Sequence, residues 1–283
     1  MTQIDQFESI FRSASRSLFE YKSWDIQSVM TICDGDQQTT RQFEANVKSF
    51  LSNAVEIEPI QWSSLAGSDF STVDQLVKKI EHLAPDMICC HRNLHIPASD
   101  HPFSLGVYVD VLTQVAKAPV LLLPDPESEF QWHKETHHVM AITDHLDGDN
   151  SIVTAALKLT ATDGKLYLTH IEDERAFRRI INVVEKIPEI DSDIALKKIA
   201  ERLLLDPQNF IDSCQKEIEK QEIPVSVEAI VKLGHSISDY GELVDKLHID
   251  LLVMHTRDDE QLAMHGLAYP LTIEFRQTPL LLI

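Results

Sequence analysis

Two six-residue stretches decide how this chain is read: VMTICD, Val29–Asp34, and VMAITD, Val139–Asp144. Four of the six positions coincide, and each stretch is an apolar run ending in a carboxylate. Further landmarks recur in the same order. PDMICCH (Pro85–His91) matches IDLLVMH (Ile249–His255), with the acid near the start and histidine last. APVLLL (Ala118–Leu123) matches TPLLLI (Thr278–Ile283). Gly106 lies 13 residues before Pro119, and Gly266 lies 13 before Pro279. Four landmarks in one order imply an internal duplication.

Working outward, Val29–Cys33, Met87–Cys90 and Val120–Leu123 read as buried strands, with helices over Thr40–Ala54, Val73–Leu83 and Leu105–Ala116. A second strand is expected at Glu56–Gln61. Alternating strand and helix implies a parallel sheet with helical crossovers. After an acidic link the order restarts, with strands at His138–Thr143, Leu166–Ile171, Val225–Val231, Leu251–His255 and Leu280–Ile283. Helices are expected at Ser151–Thr160, Ile237–Leu247 and Leu271–Arg276, and a helical insertion over 174–220, broken at Pro188 and Pro207. Between Gln61 and Val73 there is no room for the helix and strand present at the matching place in the second copy, so the first copy is abbreviated. The expected organisation is therefore an amphipathic N-terminal helix in 1–23, a first domain over 24–124, a linker over 125–135 and a second domain over 136–283. In the first of these, Ile4, Phe7, Phe11, Ala14 and Leu18 recur at helical spacing.

Composition excludes several classes. With 45 Asp+Glu against 25 Lys+Arg, the net charge of −20 repels nucleic acid and anionic membrane, so neither is an expected partner. No apolar run reaches the ~18 residues of a membrane helix. The opening MTQIDQFESIF lacks a signal peptide's pattern, and a cytoplasmic location is expected. Cys33, Cys89, Cys90 and Cys214 form no Cys-x-x-Cys pair and read as reduced, packed thiols. The eight glycines form neither G-x-G-x-x-G nor the P-loop pattern. No nucleophile–base motif is present, and no catalytic residue is assigned.

At this point the chain resembles the universal stress protein family. The resemblance rests on IDLLVMHTR followed by the terminal TPLLLI, and on the strand VMAITD with its acid. It implies two tandem five-stranded parallel α/β sandwiches, the first abbreviated, joined as a pseudo-dimer through their last strands. It also implies a stress-response protein. Members that bind ATP carry G-x2-G-x9-G-[ST] after the fourth strand, with the first-strand acid facing adenosine. Here the matching positions read His255, Asp258, Gly266 and Leu267 in the second copy, and His91, Leu94, Gly106 and Val107 in the first. Backbone N–H groups cradle phosphate where glycine lets the chain approach, and acids beside a triphosphate oppose it. The expectation is that neither half binds ATP in the family's way.

What remains at the strand ends is polar: Asp34, His91 and Gly106 in the first half, Asp144, His255 and Gly266 in the second, a tentative ligand pocket in each. The alternative is that each Asp caps the following turn and pairs with its histidine. His91, His95 and His101 stand at spacings that could hold zinc, and His255 and His265 repeat the ten-residue step. The same imidazoles suit pH sensing. The reading is a non-enzymatic, regulatory binding protein with no ATP cofactor and with protein partners. The alternatives are a small-ligand or zinc sensor, and a nucleotide-binding or nucleotide-hydrolysing member with an atypical site. A homodimer through the insertion is a further expectation, using Ile194, Ile199, Leu203, Leu204 and Leu205.

Overall fold

The protein is described by a computed structural model covering residues 18–52, 59–96, 103–125, 132, 135–142, 150–256 and 267–283. The expected N-terminal helix, Asp144, Asp258, His101, His265 and Gly266 lie outside the described residues. No helix among the described residues is long and apolar enough to cross a membrane.

The first half runs β1 (Ser28–Ile32), α1 (Gln37–Leu51), β2 (Gln61–Leu65), α2 (Val73–Leu83), β3 (Met87–His91), α3 (Val107–Val115) and β4 (Val120–Leu123). The second runs β5 (His138–Ile142), α4 (Asn150–Leu159), β6 (Lys165–Asp173), α5 (Glu174–Val184), α6 (Ser192–Lys220), β7 (Ser226–Gly234), α7 (Ser236–Leu247), β8 (Leu251–Met254), α8 (Ala268–Glu274) and β9 (Leu280–Leu282). All nine strands join one sheet in the order β2-β1-β3-β4-β9-β8-β5-β6-β7. Every neighbouring pair is parallel except β4 and β9. There Leu121 stands opposite Leu281, flanked by Val120–Leu282 and Leu122–Leu280. The apolar closing strands thus cover each other's edges, which would otherwise offer unpaired N–H and C=O groups for association.

The duplicated acids show why the two halves keep the same order. Asp86 accepts from the backbone N–H groups of Gln27 (3.0 Å) and Ser28 (2.8 Å), tying the start of β3 to β1. Asp250 accepts from the His138 N–H at 2.8 Å, tying the start of β8 to β5. Just upstream, α2 and α7 each end in a left-handed residue, Ala84 (φ 42°) and His248 (φ 51°). Such a cap turns the chain sharply into the next strand.

Strand residues alternate between the two faces, as period-2 geometry requires. Val29, Cys33, Leu121, Leu281, Val253 and Val139 share one core with α1, α4 and the end of α6. Met30, Ile32, Leu122, Leu280 and Leu252 share the other with α2, α3, α7 and α8. Both cores run unbroken across the β4–β9 seam.

Two element boundaries differ from expectation. The second strand is Gln61–Leu65 and not Glu56–Gln61. It is an edge strand with Leu65 alone buried, so it carries little of the apolar signal that marks interior strands. Pro207 does not end a helix: α6 continues through it from Ser192 to Lys220. Beyond the proline, Phe210, Ile211, Cys214 and Ile218 bury one face of α6 on the sheet. That packing outweighs the ~3 kcal/mol that proline costs inside a helix.

Candidate functional site

The described site lies at the carboxyl ends of β1 and β3, where the strand order reverses and open sheets present ligand crevices. Asp34 follows β1, and its backbone oxygen is approached so closely by the turn after β2 that a Cβ on Gly67 would sit 2.1 Å away. One carboxylate oxygen, Oδ2, accepts from the His95 backbone N–H at 2.8 Å. The other, Oδ1, lies 2.9 Å from His91 Nε2, off the axis of the ring N–H bond.

His91 is buried, and its Nδ1 is 2.8 Å from the Arg92 carbonyl oxygen. A carbonyl only accepts, so Nδ1 carries the proton, and in the neutral ring Nε2 would present a lone pair to the carboxylate. Two lone-pair atoms at this distance repel unless a positive centre lies between them, either a second ring proton or a metal ion. Without metal, burial works against the imidazolium, but the Asp34 carboxylate and Cys33 outweigh it and lift the His91 pKa to about 10. Burial likewise opposes the charge on Asp34, but its contact with His91 and the hydrogen bond it accepts from the His95 N–H together hold its carboxyl down at about 2. Cys33 completes the group: one ligating atom from each of Cys33, Asp34 and His91 lies within 4.8 Å of the others.

The loop after β3 folds back over this acid. Asn93 (φ 56°) and His95 (φ 59°) are both left-handed, which curls residues 92–96 towards β1. Leu94 is fully buried. The His95 ring sits between Phe70 (centroids 4.7 Å apart) and Tyr108 (5.2 Å), with its Nε2 3.0 Å from the Phe70 carbonyl. Tyr108 donates its hydroxyl to the Ser71 carbonyl at 2.9 Å. Gly106 caps α3 with φ 82°, and a Cβ there would meet the Asn93 Cα at 3.2 Å. Gly106, at the N-terminus of α3, thus lies directly against this loop.

The structure therefore brings Asp34, His91 and His95 together, with Gly106 against the same loop. It does not converge the rings of His91 and His95, because His95 turns its ring to Phe70. In the second half, His255 follows β8 and is partly buried, while its expected companions Asp144 and Gly266 lie outside the described residues. Sequence reasoning favoured a packing role for Cys33 over Cys–His chemistry. Its place beside Asp34 at a strand end was the available signal.

It also passed over Arg92. This buried guanidinium donates to the Thr272 carbonyl (2.5 Å) and the Phe275 carbonyl (2.9 Å) at the C-terminus of α8. A cation at that end satisfies orphan carbonyls and complements the helix dipole. The first half thus clamps the last helix of the second.

The sequence matches no protein-family model and no curated protein. Solved structures do match. A universal stress protein from Archaeoglobus fulgidus superposes with a TM-score of 0.54 at 11% identity, over 92% of this chain and 98% of that one. The fold is that of the universal stress proteins. A functionally unknown protein from Pseudomonas aeruginosa is similar over 91% of this chain and 92% of its own, with a TM-score of 0.51 at 13% identity. Another Pseudomonas aeruginosa structure, provisionally named a universal stress protein, gives 0.51 and 13% over 91% and 93%. Each of these three alignments covers more than nine-tenths of this chain.

Proposed function

We propose that this chain is a tandem member of the universal stress protein family that acts as a non-enzymatic regulatory binding protein and does not take ATP in the family's manner. One observation carries the reading: both oxygens of the Asp34 carboxylate are engaged by the chain's own His91 and His95. An acid so occupied is not offered to adenosine, and the His95 ring beside it is packed between Phe70 and Tyr108. Thermal-shift and product analysis with ATP, AMP and cyclic nucleotides test it. The expected result is no stabilisation and no turnover, and saturable stabilisation by ATP with phosphate release would overturn it.

A second reading, that the protein senses zinc, is favoured by the convergence of Cys33, Asp34 and His91, whose ligating atoms lie within 4.8 Å of one another. A thiolate, an imidazole and a carboxylate form a ligand set suited to Zn²⁺, whose bonds of ~2.0–2.3 Å the trio could meet after small side-chain movements. Nδ1 held on the Arg92 carbonyl is the outer contact that orients a metal-bound histidine. After chelation and dialysis, titration should show one Zn²⁺ per chain. Cobalt should give a thiolate charge-transfer absorption that Cys33→Ser abolishes. A Cys33→Ser protein that binds as the parent does, or a parent with no saturable site, would dismiss this reading.

A further inference from the structure

The segment from Glu174 to Asp206, comprising α5, its turn and the first half of α6, stands apart from the rest of the molecule in three ways. First, it is barely packed. The two buried side chains of α5, Phe177 and Ile181, belong to neither sheet core, and no residue of α6 before Pro207 is buried. Second, it exposes apolar surface. Of the thirteen large hydrophobic side chains exposed among the described residues, seven fall between positions 180 and 205. They include Ile180, Val183, Ile187, Ile190, Ile194 and Leu205, with Val183 and Ile194 each more than 60% exposed.

Third, its charge is balanced. These 33 residues carry seven Lys or Arg and seven Asp or Glu, so the whole net charge of −20 resides on the remaining 250. Much of that balance is internal to each helix. Arg178 pairs with Glu174 (2.6 Å), Lys198 with Glu201 (3.1 Å) and Arg202 with Asp206 (3.0 Å).

We infer that this arm is the interface of a homodimer, packing against the same arm of a second copy about a two-fold axis. An isologous contact needs a self-complementary patch. Two bodies of charge −20 repel over most of their surfaces, and the neutral arm is where they can meet without that cost. A standard interface takes ~20–30 residues and ~800 Å² from each partner, within the reach of a 33-residue helical hairpin. An anionic membrane is the other surface open to such an arm, but membrane-seeking helices carry an excess of Lys and Arg, which is absent here. A strongly basic protein partner would be drawn to the acidic body instead.

Sedimentation velocity and light scattering of the full chain test the inference. The parent should dimerise in the micromolar range, about 1–50 µM. The dimer should tighten as NaCl is raised from about 50 to about 500 mM, because salt screens the repelling bodies. The double variant Val183→Glu/Ile194→Glu should weaken association at least about tenfold. Its melting temperature as a monomer should be unchanged, since both side chains are already in solvent. Leu83→Glu, an exposed residue on the body, should leave the dimer intact. A parent that stays monomeric to about 100 µM overturns the inference, as does an arm variant that dimerises like the parent. A monomer that cosediments with phosphatidylglycerol-containing vesicles also overturns it, assigning the arm to a membrane surface.

Discussion

The two halves of this molecule share strand order, seam and acid landmarks, yet they are built differently around them. The first half is lean: four strands, a single 3-10 turn at Gly67–Asp69 after β2, and a loop after β3 whose His95 N–H donates to Asp34. The second half is built out. It has a fifth strand, β6 and β7 of nine residues each, and the α5–α6 arm. The divergence extends to single positions. Where the first half places Arg92 after the strand-end histidine, the second places Thr256, which donates through both its N–H (2.9 Å) and its hydroxyl (3.0 Å) to the Ile283 carbonyl. Among the described residues, the first half folds a loop over Asp34 and clamps its neighbour through Arg92, and the second adds a strand and the α5–α6 arm.

That contrast can be broken at several points. The largest effect is expected at the seam, where the halves are equal. Leu281 is fully buried opposite Leu121, and Leu281→Asp would bury an unpaired carboxylate. A loss of more than about 4 kcal/mol is expected, read as aggregation or failure to fold. A soluble variant with an unchanged urea midpoint would place the joint elsewhere. Next comes the clamp. Arg92→Met keeps apolar volume but leaves the Thr272 and Phe275 carbonyls without their donor, a loss of about 2–3 kcal/mol. Hydrogen exchange should rise in α8 more than in α3. Equal protection of both helices would show that the clamp does not distinguish the halves. A smaller effect is expected in the loop after β3. His95→Ala removes the ring between Phe70 and Tyr108 and its contact with the Phe70 carbonyl, at about 1–2 kcal/mol by chemical denaturation. It keeps the backbone N–H on Asp34, so no ATP binding should appear. Acquisition of ATP binding would show that the ring alone excludes the nucleotide.

How much of this was legible in the sequence follows from where each signal is stored. Interior strands of a parallel sheet are buried on both faces, so VMTI, ICC and LLVM stand out as apolar runs and the duplication can be read directly. The seam was legible for the same reason, because an apolar closing strand needs a cover. Edge strand β2 was misplaced because one buried residue in five leaves no pattern. Pro207 misled because its cost is local, whereas the packing that overrides it lies a turn downstream. In the site, Asp34 and His91 could be paired because both end neighbouring strands. The role of His95 could not be seen. It acts through a backbone N–H delivered by left-handed turns at Asn93 and His95, and no glycine marks either one. Arg92 reaches carbonyls 180 and 183 residues away, a contact that no local pattern encodes.

The central claim is that the first-half site is occupied by the chain itself, and hydrogen exchange followed by mass spectrometry tests it most directly because it reports each half separately. With MgATP in large excess, peptides covering Asp34–Gln37 and His91–Tyr108 should exchange at the same rate as without it. Slower exchange in those peptides, growing with nucleotide concentration and saturating, would contradict the account.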